Sequence, residues 1–496
     1  MSLVIRQSIQ TSIISYAGVV IGYINLLYLY PKFLELDQVG LLRVIQDAAM
    51  LMAPFATIGM AQGVLRFFPQ FSQSQAKTNS FAGLITLMAL GGFTVFLLVF
   101  LVFESSIVSF FEDKAKTIIQ HKDLILLLTL CLVLIAIFEQ FSKALLRVAF
   151  PNFLREILIR TMQGVIVILY FYAILTYDQF ITWSVYIYFI SLLILVVALY
   201  RWKISLSFKN LSGFPVRTIV KYSSISFVSA SAMILIGKMD SIMVTGYLGL
   251  ESVAIYTNAY YMATVIDIPK RAITQTSTTL LARAFERKDM LQVAALYHKT
   301  SLNQFIIGAL LLIGVWANLE SFFQLMPKGD IYRAGSLVVI IVGLGKLIDM
   351  LFGPSSEMIG LSRYYWFNLV VITLLAAIVV VMNYLLIPRI GIEGAAYGAV
   401  VAVIFYNVIK FIFIAVKLKI QPFSLATIKV LFIAMVTAGL NLILPSLDNV
   451  FADMFYRSFL ITAVYGALIL WTRSSEDINN LVARVLQRVS GKGRGQ

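Results

Sequence analysis

Charged side chains lie inside long apolar stretches of this sequence, where each costs about 2.5–3.5 kcal/mol on membrane-insertion scales. A charge in such a place usually faces a polar cavity or a partner of opposite sign. Arg43 and Asp47 are four residues apart, and Lys346 and Asp349 are three apart, so each pair shares one face of a helix. The other charges of this kind are Lys238, Asp240, Asp267, Lys270 and Arg271.

These charges allow two interpretations. In the first, the pairs neutralise each other and hold helices together. In the second, the cations face a cavity and bind an anionic headgroup, since ammonium and guanidinium groups offer phosphate several hydrogen-bond donors. Lys238 and Lys346 are the strongest candidates for such a cavity because each lies several residues from both ends of its apolar stretch.

The remaining charges need further partners or access to water. Lys238 and Asp240 are two residues apart and point in different directions, so each needs a partner on another helix. Lys143 and Lys410 lie near cytoplasmic ends of apolar stretches and are expected to extend toward water. The acids that could carry a coupling proton or sodium ion, or only set the charge of the lysines, are Asp47, Asp240, Asp267 and Asp349.

The residue types needed for metal or hydrolytic chemistry are scarce. The only cysteine, Cys131, lies in an apolar stretch, which excludes an intrachain disulfide and a cysteine metal site. The two histidines, His121 and His298, are far apart and are predicted in loops, which disfavours a histidine metal centre or a Ser-His-Asp triad. We therefore predict no metal, no cofactor and no catalytic residue, and we do not expect an enzyme.

Composition indicates the medium in which these charges lie. Of the 496 residues, 60% are hydrophobic and 13% are charged. Soluble domains carry roughly 25% charged residues, so a water-soluble fold is excluded. The first apolar stretch, residues 9–30, is long enough to span a bilayer and lacks a signal-peptidase pattern, so it is predicted as a membrane helix.

Apolar stretches of about 20 residues predict an all-α membrane protein with about fourteen transmembrane helices. One helix over residues 158–200 would be about twice as long as the bilayer core is thick, so a break is expected near residues 177–179. The predicted spans are residues 8–30, 39–65, 81–103, 122–143, 158–176, 180–200, 219–246, 252–279, 294–317, 334–352, 364–385, 393–416, 424–445 and 454–472.

Basic residues indicate the orientation in the membrane. With the N-terminus in the cytoplasm, roughly 25 Lys and Arg fall in cytoplasmic segments and roughly 8 in outer loops. The acidic segment 104–123 is then an outer loop, and both termini lie on the cytoplasmic side of a bacterial inner membrane. The tail, residues 474–496, starts with an N-cap pattern (SSED), and apolar residues at helical spacing predict an amphipathic helix on the cytoplasmic leaflet.

A short motif recurs along the chain. Residues 34–40 (LELDQVG) align with 248–254 (LGLESVA), and 391–397 (GIEGAAY) is a weaker copy. An acid before small and apolar residues suits the first turn of a helix, where a carboxylate caps it. Repeat-built transporters bind substrate between their halves. We predict a six-helix lobe (1–200), a cytoplasmic linker (201–218), a second six-helix lobe (219–416) and two extra spans (417–473).

Four motifs carry a resemblance to a known family. They are residues 33–41 (FLELDQVGL), 58–69 (IGMAQGVLRFFP), 253–260 (VAIYTNAY) and 387–398 (IPRIGIEGAAYG). With the plan of six, six and two helices, the chain resembles the polysaccharide (O-antigen type) flippases of the multidrug/oligosaccharidyl-lipid/polysaccharide exporter superfamily. The likeness extends over nearly the whole chain.

The resemblance implies two lobes around a central cationic cavity. It also implies a substrate, an oligosaccharide linked through pyrophosphate to a polyprenyl lipid, that is flipped from the cytoplasmic to the periplasmic leaflet. Such proteins place cavity cations in spans one, two, seven and eight, whereas span one here has no charge and offers Asn25 with tyrosines. The positions expected to line the cavity are Arg43, Lys238, Lys346, Lys270, Arg271, Asn25 and Asn258.

Partners and competing functions follow from the same features. A proton or sodium ion, membrane lipid and other polysaccharide assembly proteins are possible partners, and nucleic acid is not expected. The alternatives within the superfamily are a multidrug/cation antiporter, which would favour an acidic cavity, and a peptidoglycan-precursor flippase. A polymerase or glycosyltransferase of the same pathway is a different class. Polymerases need a large outer loop, whereas the longest here has under about 20 residues, which favours a short-looped transporter.

Overall fold

The computed structural model describes residues 3–480 and residue 482, and within that part of the chain every regular element is a helix. The all-α prediction is therefore confirmed. Eleven of the described helices are long and apolar enough to cross a membrane. The chain separates into two compact units, Met1–Ile255 and Tyr256–Gln496.

The first unit begins with a helix that changes its winding near its end. After α1 (Leu3–Ile24) the helix passes through one π turn, Asn25–Leu29, and ends with Tyr30–Phe33. A second π turn, Leu154–Leu158, joins the short helix Ala149–Phe153 to α6. The other long helices of this unit are α2 (Leu36–Thr57), α3 (Met60–Phe71), α4 (Gln75–Glu112), α5 (Lys122–Ala144), α6 (Ile159–Phe171), α7 (Tyr177–Arg201) and α8 (Val216–Leu248).

The second unit contains shorter helices between long ones. The helix α9 (Leu250–Thr264) crosses the boundary between the units and continues through a 3₁₀ turn, Val265–Asp267. The helices that follow are α10 (Ile268–Glu286), α11 (Met290–Leu325), α12 (Ser336–Leu351), α13 (Ser355–Leu361), α14 (Trp366–Ile390), α15 (Ile392–Lys417), α16 (Leu425–Ile443) and α17 (Val450–Trp471). The first unit includes α8, which the sequence places at the start of the second lobe, and the predicted repeat boundaries stay a prediction.

Eleven of the fourteen predicted spans coincide with helices that qualify as membrane-spanning. Two of the other three coincide with helices that are short or interrupted. The span 158–176 contains α6, which has 13 residues. The span 219–246 lies in α8, a continuous helix of 33 residues. The span 252–279 is divided by the 3₁₀ turn between α9 and α10.

Helix ends occur where proline and glycine predict breaks. The predicted span 39–65 is two helices, because α2 ends three residues after Pro54 and both Ile58 and Gly59 have positive φ angles, 47° and 73°. A Cβ on Gly59 would also collide with the backbone of Ser223 in α8. Similar breaks occur at Pro269, in the first turn of α10, and at Gly353 before α13.

The recurring acidic motif opens three helices, as predicted. Glu35 and Gln38 form a capping box at the start of α2, and the Glu35 N–H donates to Gln38 Oε1 over 3.0 Å. Glu251 lies in the first turn of α9, and Glu393 lies in the first turn of α15. Each carboxylate therefore lies near the unpaired N–H groups of a first helical turn, where a negative charge is favourable.

Two loop predictions are wrong. The acidic segment 104–123 is mostly helical, because α4 continues as far as Glu112. His298 lies inside α11, where its Nδ1 is 2.7 Å from the carbonyl of Pro422, whereas His121 lies in a turn before α5. The predicted tail helix begins as expected, since the Ser475 hydroxyl accepts a hydrogen bond from the Ile478 N–H. Most of that tail lies outside the described residues.

Candidate functional site

In the first unit, the buried carboxylate of Asp47 accepts two hydrogen bonds from α8 and lies beside a third basic or polar side chain on its own helix. Asp47 is 1% exposed and lies in α2, which packs against α8. Lys238 donates to Asp47 Oδ1 over 2.6 Å, and Ser241 donates to Oδ2 over 2.7 Å. Arg43 Nε lies 2.9 Å from Oδ2, one turn before Asp47 on α2. We call these four residues the Asp47 cluster.

The Asp47 cluster follows the expectations drawn from spacing. Arg43 and Asp47 share a helix face, and Lys238 finds its partner on another helix. Burial of an ion pair is favourable only when the remaining lone pairs are satisfied, and Ser241 contributes here to that satisfaction. Two cations on one carboxylate leave the cluster with a net positive charge. The side chains of Arg43 and Lys238 keep 18% and 19% of their surface exposed.

In the second unit, the carboxylate of Asp349 in α12 joins three helices. Lys270 from α10 forms an ion pair with Asp349 Oδ2, and Asn407 from α15 donates to Oδ1 over 3.0 Å. The sequence indicates no particular partner for Lys270, and the structure pairs it with Asp349. Lys346, which shares the helix of Asp349, is not within 4 Å of a carboxylate in the described chain.

Two lysines beside this pair rest on aromatic rings. Lys346 Nζ lies 5.6 Å from the ring centroid of Tyr260 in α9. Lys410 Nζ lies 3.7 Å from the ring centroid of Tyr406 and donates to Ser356 Oγ over 3.0 Å. Cation–π contacts of this kind stabilise a lysine without neutralising it. We call Lys270, Lys346, Asp349, Asn407 and Lys410 the Asp349 cluster.

The expectation that Lys410 extends toward water is wrong. Its side chain is buried, and the residue is 2% exposed. The reason is the short helix α13, which packs on α15 and brings Ser356 over the lysine. No carboxylate of the described residues lies within 4 Å of Lys410, and its direct contacts are a hydroxyl and a ring.

Four other predicted site residues have separate surroundings. Arg271 is largely exposed, with its Nε 4.0 Å from Asp267 at the start of α10. Asn25 is buried in the first π turn and donates to the carbonyl of Arg160 over 2.7 Å, so it ties α1 to α6. Asp240 and Asn258 are both buried, in α8 and α9 respectively.

A second ionic network in the first unit was missed by sequence reasoning. Arg160 donates to the carbonyl of Gly18 over 2.7 Å and pairs with Glu156 over the same distance. Glu139 lies 3.6 Å from Arg155 and 4.0 Å from Lys143. The predicted span 158–176 begins after Arg155 and Glu156, whereas the π turn extends the helix back to Ala149. The four-residue spacing of opposite charges was the available signal.

A polar groove of about 760 Å³ lies beside α10 in the second unit. Amide, hydroxyl and charged side chains line it, and they are Gln275, Thr278, Thr279, Arg283, Glu286 and Glu357. Such side chains can donate and accept hydrogen bonds from hydroxylated ligands. In the described part of the chain, no three His, Cys, Asp or Glu residues are placed to hold a metal ion.

The eleven long apolar helices define a multi-pass membrane protein. A family model described as "Polysaccharide biosynthesis protein" matches residues 4–278, which is more than half of the chain. The chain therefore belongs to the polysaccharide biosynthesis protein family. A search of curated proteins gave no match.

Solved structures share the fold at low sequence identity. The lipid II flippase MurJ in an inward closed conformation matches with a TM-score of 0.74 and 13% identity, over 94% of this chain and 100% of that one. An inward-facing multidrug resistance MATE family transporter of the MOP superfamily matches with a TM-score of 0.61 and 14% identity, over 84% of this chain and 98% of that one. A MOP superfamily transporter from Pyrococcus furiosus matches with a TM-score of 0.54 and 13% identity, over 84% of this chain and 95% of that one. The fold is that of MOP superfamily transporters.

Proposed function

We propose that this protein flips polyprenyl-pyrophosphate-linked oligosaccharides from the cytoplasmic to the periplasmic leaflet of a bacterial inner membrane, for surface polysaccharide biosynthesis. Membership of the polysaccharide biosynthesis family and the transporter fold support this proposal. The observation that carries it is the excess of positive charge in the Asp349 cluster. There, Lys346 and Lys410 have no carboxylate within 4 Å in the described chain.

A diphosphate group suits this cluster because it offers several acceptor oxygens and more than one negative charge. Lys346 contacts the ring of Tyr260 rather than an acid, so an incoming phosphate gains an ion pair without first breaking one. Lys270 already holds Asp349, and it can turn to the phosphate only by giving up that partner. We therefore assign first contact to Lys346.

The Asp47 cluster takes the phosphate by exchange in this proposal. Arg43 and Lys238 hold the carboxylate of Asp47 until a phosphate with greater charge displaces it. The released carboxylate then takes up a proton, which would link transport to a proton gradient. Asp240, Asp267 and Asp349 are further candidates for the coupling ion.

The oligosaccharide part needs neutral hydrogen-bonding groups. We assign its contacts to the polar groove beside α10, where Gln275, Thr278 and Thr279 present an amide and two hydroxyls. Flipping makes and breaks no covalent bond, so the protein needs no catalytic residue. Alternating access by the predicted six-helix lobes, 1–200 and 219–416, would expose these groups to each side of the membrane in turn.

The test is transport in proteoliposomes with a fluorescent polyprenyl-pyrophosphate oligosaccharide. Lys346→Ala should lower the initial rate at least tenfold, and Lys346→Arg should restore part of it because the charge remains. Lys429→Ala is the matched control, since Lys429 is an exposed lysine on α16 of the same unit. Equal rates for Lys346→Ala and Lys429→Ala would contradict the assignment.

A multidrug/cation antiporter is the second candidate, because a MATE family transporter shares the fold. The lysines of the Asp349 cluster disfavour a cationic substrate by like-charge repulsion. Efflux of a cationic dye from the same proteoliposomes, abolished by Asp349→Asn, would favour that function. Transport of lipid II in preference to the oligosaccharide lipid would favour a peptidoglycan-precursor flippase instead.

A further inference from the structure

A second groove lies in the first unit, apart from both charged clusters. Its volume is about 500 Å³, and it is bordered by the start of α1, the short helix Ala149–Phe153 and the end of α7. Its walls are mainly apolar, with Ile13, Phe150 and Phe153 among them. Its rim carries Gln7, Gln10, Arg147 and Trp202. We call it the Arg147 groove.

The rim of the Arg147 groove presents donors and a positive charge. Arg147 is exposed, and its guanidinium carbon lies 4.8 Å from the ring centroid of Trp202. Trp202 in turn packs edge-on against Phe150, with 5.5 Å between ring centroids. Gln7 Oε1 accepts from the Ala149 N–H over 3.1 Å, which leaves the Gln7 amide N–H groups as donors. Among the described residues, no carboxylate lies within 4 Å of Arg147.

The position of the groove suits the edge of a bilayer. Arg147 follows α5 and Trp202 follows α7, and basic-residue counts place both ends in the cytoplasm. Tryptophan and arginine are typical of the membrane interface. From Gln7 to Ile13 a helix rises about 9 Å, so the apolar wall reaches from the headgroup region into the hydrocarbon.

From these features we propose that the Arg147 groove binds an anionic glycerophospholipid of the cytoplasmic leaflet. The lipid phosphate lies against the guanidinium of Arg147 and the amides of Gln7 and Gln10. The upper part of an acyl chain lies against Ile13, Phe150 and Phe153. Arg201 and Lys203 flank Trp202 and are exposed, so the local charge favours a lipid with net negative charge over a zwitterionic one. This site is independent of the flippase proposal.

The test uses the tryptophan at the site as its reporter. The chain has five tryptophans, so the full-length protein is made with Trp202 alone by changing Trp183, Trp316, Trp366 and Trp471 to Phe. It is reconstituted in vesicles that contain dibrominated phosphatidylglycerol or dibrominated phosphatidylcholine, and quenching of Trp202 is measured. We expect phosphatidylglycerol to bind about fivefold more strongly than phosphatidylcholine. A cation near an anionic lipid surface contributes about 1 kcal/mol, which corresponds to that ratio.

Variants connect this preference to the rim. Arg147→Gln should remove most of the phosphatidylglycerol preference, with the remainder due to Arg201 and Lys203, and Arg147→Lys should keep more of it. Gln10→Leu should lower it about twofold, which provides a second variant should Arg147→Gln reduce the yield of folded protein. Arg217→Gln is the matched control, because Arg217 is an exposed arginine of the same unit on the same predicted side.

Several outcomes would overturn the proposal. Equal quenching by both bromolipids in the parent protein would show that the groove does not select charge. An unchanged preference in Arg147→Gln would place the selectivity elsewhere. Quenching by neither lipid would mean that protein covers the groove. Displacement of phosphatidylglycerol by an equimolar polyprenyl pyrophosphate would assign the groove to the transported substrate instead.

Discussion

The Asp47 cluster and the Asp349 cluster accommodate buried charges in different ways. Each holds one carboxylate between helices, and each contains more cations than acids. In the Asp47 cluster, both cations contact the carboxylate directly. In the Asp349 cluster, only Lys270 does so, while Lys346 and Lys410 lie against tyrosine rings.

This difference separates two uses of a buried charge. The carboxylate of Asp47, with two donors from α8 and an ion pair with Arg43, chiefly joins α2 to α8. Its removal exposes the two cations to one another. A lysine on a ring has no carboxylate to release before it binds an anion. Because Lys346 and Lys410 need not release a carboxylate first, the Asp349 cluster is the better candidate for reversible binding of phosphate.

The largest effect is expected from Asp47→Asn. Arg43 and Lys238 would then lie close together with no carboxylate between them, and we expect a loss of about 3 kcal/mol in the free energy of unfolding, with loss of transport. Thermal unfolding of the purified variants measures the change. Asp178→Asn serves as control because Asp178 is exposed at the start of α7. Equal stability of the two variants would contradict the structural role of Asp47.

A smaller loss is expected from Asp349→Asn. Lys270 would lose its ion pair while two other lysines lie nearby. Because both members of the pair are partly exposed, we expect the free energy of unfolding to fall by about 2 kcal/mol. Adding Lys270→Met should restore most of the unfolding free energy, because the uncompensated charge is gone. Thermal unfolding of the single and double variants measures this, and no recovery in the double variant would show that the pair does not dominate.

Lys410→Met should act in the opposite direction. A buried lysine without a carboxylate costs desolvation free energy, so an apolar side chain of similar length should stabilise the protein by about 1 kcal/mol. Oligosaccharide transport should nevertheless fall, since the positive charge is removed. If unfolding and transport both stay at the parent level, the lysine contributes to neither, and the contrast between the two clusters weakens.

The smallest effect is expected in the network missed by sequence reasoning. Glu156→Gln removes one partner of Arg160, which still donates to the carbonyl of Gly18. We therefore expect the free energy of unfolding to fall by about 0.5 kcal/mol. Chemical denaturation of the variant beside the parent protein measures it. A loss several times larger would mean that the π turn depends on this ion pair.

Much of the fold follows from local rules. Stretches of apolar residues gave eleven spans that the structure bears out, and the acids at Glu35, Glu251 and Glu393 marked three helix starts. The pairing of Arg43 with Asp47 followed from four-residue spacing alone. These features depend on residues that are close together in the sequence, so they can be predicted from the sequence without knowing the tertiary contacts.

The missed features depend on contacts between distant residues. Spacing placed Lys346 on the same helix face as Asp349, but the carboxylate pairs with Lys270 from another helix instead. Lys410 is buried because α13 folds onto α15, which no local pattern reveals. Likewise, the π turn before α6 places Arg155 and Glu156 within a helix, although the predicted span begins only at residue 158.

The central claim is that Lys346 receives the pyrophosphate of the lipid-linked substrate. Its most direct test is the affinity of purified protein for undecaprenyl pyrophosphate, measured by native mass spectrometry. We predict that Lys346→Ala weakens binding at least tenfold while Lys429→Ala binds like the parent protein. Parent-like affinity in a folded Lys346→Ala variant would contradict the claim.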